Sequence, residues 1–275
     1  MSKRYQLGVL GNTLSHSKSP DIQVAGLEYL GLAGSYGKHE LDPENFDKEI
    51  NQLLSQLDGL NVTIPYKETV LKYLNKKDEL VKRIGATNTL MMTSLGIQGF
   101  NTDYYGFTES LKDVDLKEKT VSIIGAGGAS KAIIIALEDM GVKKINIHVR
   151  NLGKAEGSVP RTRVDTDVLL YTEEETDLTE ADLVINCTPV GQGRLADTMP
   201  LTEGQINTLN KDTIVYDLIY SDTLLLKTAK KRKLKTINGA DMLVLQGVKS
   251  LSIWTGCEID AGLIKTMTDA FHNAN

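Results

Sequence analysis

At 275 residues, 41% apolar and 24% charged, the chain has the composition of a folded, water-soluble enzyme and the length for two domains. Its net charge of −5, without a basic block, excludes nucleic acid as an expected partner. Its apolar runs fall short of the roughly 18 residues a membrane span needs, and MSKRYQLGVLGN lacks a signal-peptide cleavage site, so no membrane partner is expected.

In chain order, strand-like runs alternate with helical patterns. YQLGVLG precedes a helix from about Pro20, and SYGKHEL precedes one from about Pro43. GLNVTIP is a strand that Pro65 should stop, with another helix after it. Ser19-Pro20 and Asp42-Pro43 each set a capping residue before a proline suited to a first helical turn. TNTLMMT, SLG and IQGFNT then read as a strand pair about a glycine-containing turn. Such alternation predicts an α/β protein on a mainly parallel sheet.

From about residue 119 the pattern becomes more regular. KTVSIIG is a strand, GAGGAS a turn, and KAIIIALEDMG a helix ending at Gly141. KKINIHV, ADLVINCT and TIVYDLIY are further strands. After Gly239 the chain reads as helical, through LVLQGVKSLSIW and IDAGLIKTMTDAF, and the pattern does not say which domain that segment joins. Cys187 and Cys257 lie far apart, which fits a reducing cytoplasm, and His16, His39, His148 and His272 have no ligand spacing, so no metal is expected.

The turn Gly125-Ala126-Gly127-Gly128-Ala129-Ser130 follows a strand and opens a helix. That context suits a dinucleotide: a glycine for the tight turn, another for close approach of a pyrophosphate, and helix N–H groups to meet its charge. Ser130 stands where Gly or Ala is usual. Proteins that bind NAD place an acid about 20 residues on, against the ribose diol. No Asp or Glu occurs between Asp139 and Glu156, and the next strand runs into Arg150 and Lys154. A cationic pair there suits the 2′-phosphate of NADP better than NAD.

The first half clusters polar residues at strand ends and turns: Ser15, Ser17 and Ser19; Asn61, Thr63 and Lys67; Asn88; Asn101 and Asp103. In open α/β sheets ligands sit at the carboxyl ends of strands. Hydroxyls, amides, one lysine and one aspartate describe a pocket for a small polyhydroxylated acid, although serines also cap helices and Asn and Asp also make turns.

Together, SHSKSP (15–20), NVTIPYKE (61–68), GATNT (85–89), NTDYYGF (101–107), GAGGAS (125–130), NCTPVG (186–191), YDLIY (216–220) and NGADMLVLQG (238–247) resemble the shikimate dehydrogenase family over nearly the whole chain. The resemblance implies a substrate domain over 1–102, completed by helices from 240–275, and a Rossmann-type NADP domain over 103–239. A cleft between them would bring nicotinamide to shikimate or 3-dehydroshikimate. It implies Lys67 and Asp103 as the catalytic pair. Ser17 and Ser19 would hold the substrate carboxylate with Tyr220, and Thr63, Asn88, Asp103 and Gln246 the ring hydroxyls, with Asn61 a lesser candidate. Cofactor contacts would come from Gly125, Ala126, Gly127, Gly128, Ala129, Arg150, Lys154, Thr188 and Gly239. The bare chemistry agrees, since oxidising a secondary alcohol removes a hydride and a proton, and a lysine held by a carboxylate can take that proton.

Some positions depart from the family pattern: Tyr104 for Gly, Gln192 for Met, Val149 and Asn151 about Arg150, no proline after YDLIY, and Ala240-Asp241 for a Leu-Gly-like pair. They leave open a paralogue, either a quinate/shikimate dehydrogenase using NAD or NADP, or a silent ligand-binding relative. Retention of both Lys67 and Asp103 argues against the silent one. The expected protein is cytoplasmic and a monomer or homodimer, acting in chorismate and aromatic amino-acid biosynthesis.

Overall fold

The computed structural model describes residues 3–155 and 157–274. The chain divides into two compact units, residues 1–109 with 244–275, and residues 110–243.

The first unit runs β1 (Tyr5–Gly11), α1 (Ser19–Tyr29), β2 (Gly34–Glu40), α2 (Phe46–Leu54), β3 (Gly59–Val62), a 3-10 turn (Thr69–Tyr73), β4 (Lys76–Lys77), α3 (Glu79–Ile84), β5 (Thr89–Thr93), β6 (Gly96–Phe100) and α4 (Thr102–Ser110). Its sheet order is β2-β1-β3-β5-β6-β4. The sheet is mainly parallel, as expected, with an antiparallel part at β5. β1 pairs parallel with β2 and β3, but β5 is antiparallel to both β3 and β6. The reason is connection length: the turn at Ser94–Leu95 is too short for the crossover that parallel neighbours need, so β5 and β6 form a hairpin.

Helix starts differ from the sequence expectation. Lys18, not Ser19, is the N-cap of α1, with Pro20 in the first turn and no side-chain cap. Asp42 does not open α2. Its Oδ1 accepts from Glu44 N at 2.9 Å, so Pro43 lies in a turn and the helix begins at Phe46. No full helix follows β3, only the 3-10 turn and short α3, and β3 itself ends at Val62, before Pro65. On one face of the sheet, α2 sets Phe46, Ile50 and Leu53 against Leu10, Leu60, Val62 and Leu90, with the Phe46 and Tyr66 rings stacked at 4.3 Å. Each such side chain fully buried contributes about 1.5–3 kcal/mol.

The C-terminal helices, α9 (Ala240–Thr255) and α10 (Ala261–Asn273), answer the question the periodicity left open. α10 packs on α1. A Cβ on Gly26 of α1 would lie 2.5 Å from Leu251 Cδ2 and 2.9 Å from Met267 Sδ, and buried Gln23 donates to Gly247 O at 2.9 Å. Trp254 donates to Leu90 O at 2.8 Å, and its indole lies where a Cβ on Gly59 would sit, 2.4 Å away. Gly59→Ala should therefore destabilise the protein by about 1–3 kcal/mol, the usual effect of overpacking. Denaturant unfolding with an unchanged m-value would measure it, and an unshifted midpoint would show that Trp254 can move aside.

The second unit contains β7 (Thr120–Ile124), α5 (Gly128–Asp139), β8 (Lys144–Val149), α6 (Leu152–Ala155), β9 (Asp165–Leu170), β10 (Leu183–Asn186), α7 (Glu203–Thr208), β11 (Ile214–Asp217), α8 (Leu224–Lys231) and β12 (Lys235–Asn238). The strand order β12-β11-β10-β7-β8-β9 is parallel throughout. It is the doubly wound Rossmann order, whose order reverses between β7 and β10. The strands β9 and β12 were not legible in the sequence. Both are edge strands, without the continuous apolar run that marks a strand buried on both faces. The predicted strand through Tyr220 stops at Asp217 instead. The Asp217 carboxylate accepts from Ile219 N at 3.1 Å and Thr223 Oγ1 at 2.7 Å, which turns the chain off the ladder.

Candidate active site

In the first sheet the strand order reverses between β1 and β3. Thr63 continues from β3, its N–H donating to Leu10 O at 2.8 Å, and the Ser15–Ser19 loop continues from β1. Because β5 is antiparallel to β3, it begins where β3 ends, with Asn61 opposite Thr89. That brings Asn88 to the same end of the sheet. β6 delivers Asn101, Thr102 and Asp103 there as well, Thr102 N donating to Asn88 Oδ1 at 2.6 Å. The hairpin expected from TNTLMMT, SLG and IQGFNT thus carries two segments to the carboxyl end of β3.

Lys67 Nζ lies 2.5 Å from Asp103 Oδ2, with side-chain exposures of 12% and 9%. Thr87 N donates to Lys67 O at 2.9 Å and ties the lysine loop to the segment before β5. Asp103 Oδ1 accepts from Asn88 Nδ2 at 2.9 Å, so donors meet both carboxylate oxygens. Asn88 Nδ2 also reaches Gln246 Oε1 on α9 at 3.3 Å. This places Lys67, Asp103, Asn88 and Gln246 in one connected group.

Asn61 has a different part. It is buried, its Oδ1 accepts from Tyr36 Oη at 2.8 Å, and its Nδ2 donates to Thr89 Oγ1 at 3.0 Å and Ser250 Oγ at 2.9 Å. Its hydrogen-bonding groups are engaged within the protein, so it braces β3 against β5 and α9. Burial raises Tyr36 above its usual pKa. Ser17 Oγ accepts weakly from Ser19 N at 3.4 Å, and Ser17, Ser19 and Thr63 remain half-buried.

The second unit has a cavity of about 420 Å³ at its own reversal point, within the 300–1,000 Å³ usual for ligand sites. It is lined by the glycine turn (Gly125, Ala126, Gly127), the end of β8 (His148, Val149, Arg150), Tyr171, Glu173, and a wall of Cys187–Val190 with Met199 and Pro200. Gly125 has φ +97°, and a Cβ there would meet Thr188 Cγ2 at 2.7 Å. A Cβ on Gly127 would meet nothing within 4 Å. Protein packing therefore does not demand Gly127, whereas a group approaching the backbone at the start of α5 would. Ser130 donates from its Oγ to Gly127 O at 2.5 Å and pins the turn. These features fit a dinucleotide, whose pyrophosphate Gly125–Gly127 and the first turn of α5, with Gly128 and Ala129, would hold.

Asn186 stiffens the facing wall. Its Oδ1 accepts from Thr188 N at 3.0 Å and Thr188 Oγ1 at 2.7 Å, and its Nδ2 donates to Asp217 at 3.0 Å. Burial raises the Asp217 carboxyl, and burial, helped by Asp217, also pushes the Cys187 thiol up and leaves it a poor nucleophile. Gly239 has a packing reason to be glycine, since a Cβ would sit 1.9 Å from Leu218 O. Tyr220 is half-buried in the second unit.

A family model described as the shikimate dehydrogenase substrate binding domain matches residues 9–90, and one described as shikimate / quinate 5-dehydrogenase matches residues 108–218. The chain belongs to the shikimate dehydrogenase family. A shikimate dehydrogenase (NADP(+)) of Clostridium beijerinckii is 35% identical over 271 residues, 97% of each chain. A shikimate 5-dehydrogenase of Thermus thermophilus, solved with NADP(H) and shikimate, superposes with TM-score 0.85 at 30% identity, covering 98% of this chain and 100% of that one. A 5-ketofructose reductase of a Gluconobacter strain superposes equally well, TM-score 0.85 at 29% identity over 99% of each chain. The shared fold thus carries reductases named for different substrates, and the site must decide between them.

Within the shikimate dehydrogenase family framework, the departures fall at definable places. Val149 is buried and adds no polar group beside Arg150, and Asn151 Oδ1 caps α6 by accepting from Lys154 N at 3.0 Å. Gln192 is exposed and Tyr104 half-buried on α4. The sequence reading missed Tyr36, Thr102 and Ser250, whose hydroxyls complete the buried network, and His148, Tyr171, Glu173, Met199 and Pro200 on the cavity wall. Glu173 comes from beyond β9, the edge strand that was not foreseen.

Proposed function

We propose that the protein is an NADP-dependent shikimate dehydrogenase, interconverting 3-dehydroshikimate and shikimate within aromatic amino-acid (chorismate) biosynthesis. The observation that carries this reading is the Lys67–Asp103 pair, joined to Asn88 and Gln246 at the sheet end that also bears Ser17, Ser19 and Thr63. In this reading residues 1–102 with 240–275 take the substrate and residues 103–239 the cofactor. It also makes the protein cytoplasmic, as a monomer or homodimer. No helix among the described residues is long and apolar enough to cross a membrane.

NADP, when bound, supplies the hydride carrier. Lys67 handles the proton at the reacting oxygen, giving it to the carbonyl during reduction and receiving it from the hydroxyl during oxidation. Asp103 holds Lys67 in place and accepts from the reacting hydroxyl. Ser17 and Ser19, with Tyr220, hold the carboxylate, while Thr63, Asn88 and Gln246 hold ring hydroxyls. Purified protein assayed with shikimate and quinate against NADP and NAD tests the whole reading, and absence of nicotinamide reduction with shikimate would end it.

Arg150 is exposed on the cavity wall, and Lys154 follows it on α6. A charge-assisted contact to a 2′-phosphate contributes about 1.5–3 kcal/mol. Arg150→Ala should thus weaken NADP binding roughly ten- to a hundredfold while leaving NAD nearly unchanged. Titration of both cofactors measures this, and equal losses would assign Arg150 to the adenine or the fold. A second reading, with NAD as cofactor and quinate accepted beside shikimate, draws on Glu173, the carboxylate on that wall. It predicts a wild-type preference for NAD.

A further inference from the structure

We propose that His148 is a nucleotide-binding residue, its imidazole forming a hydrogen bond with the purine of the adenosine half of the cofactor. The proposal rests on the cofactor reading above. His148 stands opposite Ile124 across the parallel β7–β8 register, so the two side chains share one face of the sheet. On that face Ile124 belongs to the cluster against which Tyr171 and Met199 pack, and all three line the cavity together with His148. His148 is only 2% exposed, yet neither of its ring nitrogens has a hydrogen-bond partner.

A polar ring in that condition is unusual. Buried polar groups are nearly always satisfied, and one left unpaired destabilises the fold. Burial also lowers the His148 pKa, which keeps the ring neutral, able to donate from one nitrogen or accept at it according to tautomer. The cavity lining divides chemically into two sets. The glycine turn and the start of α5 suit phosphates, and Arg150 suits a 2′-phosphate. Tyr171, Met199, Pro200 and Ile124 form an apolar slot with His148 as its buried polar group. A flat, largely apolar heterocycle with hydrogen-bonding edge atoms matches that slot, and a sugar phosphate does not. Unlike Arg150, His148 is therefore blind to the 2′-phosphate.

The test is calorimetric titration of wild type, His148→Phe and His148→Asn with NADP, NAD, adenosine 5′-phosphate and nicotinamide mononucleotide, alongside thermal melting without nucleotide. One net hydrogen bond corresponds to about 0.5–1.5 kcal/mol, so His148→Phe should bind the three adenosine ligands roughly three- to tenfold more weakly, by one common factor. Nicotinamide mononucleotide should bind both proteins alike. The same variant should melt at or above the wild-type temperature, because an apolar ring replaces an unpaired polar one. His148→Asn, which keeps a donor and an acceptor, should recover part of the affinity. A ring that matters only for packing would not give lower affinity with undiminished stability. Unchanged adenosine affinities in His148→Phe and His148→Asn overturn the proposal while leaving the cofactor reading intact. Failure of wild type to bind any of the adenosine ligands overturns both.

Discussion

Lys67→Ala should lower kcat with shikimate by about 10²–10⁴, the range a positioned acid–base group contributes. Lys67 sits in the turn after β3, its side chain 12% exposed, 2.5 Å from an Asp103 oxygen. A lysine on a solvated loop would spend its charge on water. This one faces a carboxylate at the sheet end where ligands of open α/β folds bind. Alanine removes the proton donor and leaves Asn88, Gln246 and the serines in place, so KM should change less than kcat. Steady-state kinetics in both directions separate the two constants. A near-normal kcat would mean that the proton travels by another route and that Lys67 serves only as a counter-ion.

Asp103→Asn should lower kcat/KM by about 10²–10⁴, with losses in both constants, since two charge-assisted hydrogen bonds of roughly 1.5–3 kcal/mol each are at stake. The geometry makes the amide a poor replacement. Asp103 accepts from Lys67 at one oxygen and from Asn88 Nδ2 at the other. An asparagine has one acceptor, so in either orientation its NH₂ faces a donor, either the Lys67 ammonium or the Asn88 amide. Breaking a nearly buried ion pair also destabilises the fold, commonly by about 3–5 kcal/mol. The melting temperature should therefore fall together with activity. Intact turnover with shikimate would reduce Asp103 to a turn residue at the start of α4.

Much of the site was legible in the sequence because local chemistry made it so. A glycine turn between strand and helix is legible from a few residues, and Gly125 at φ +97° shows the tight turn expected there. Pro65 signalled the end of β3 and so drew attention to Lys67. His148 was different. In sequence it is one of four scattered histidines, and only the pairing of β8 with β7 sets it beside Ile124, with Tyr171 and Met199 arriving from distant loops. Likewise, that Lys18 rather than Ser19 stands at the N-cap of α1 is set by how the preceding loop folds, which no local pattern states.

The sequence by itself determined the alternation of elements, the two α/β units' core strands, the glycine turn and the motif residues, because period, turn chemistry and proline act over a few residues. The tertiary structure decided what depends on neighbours. It set the antiparallel β5 that carries Asn88 beside Asp103, the edge strands β9 and β12, the docking of α10 on α1, and the use of Asn61 as a brace rather than an open contact. Strand direction and side-chain hydrogen bonds are fixed only when segments far apart in the chain compete for the same partners. A sequence names the competing groups, and packing selects among them.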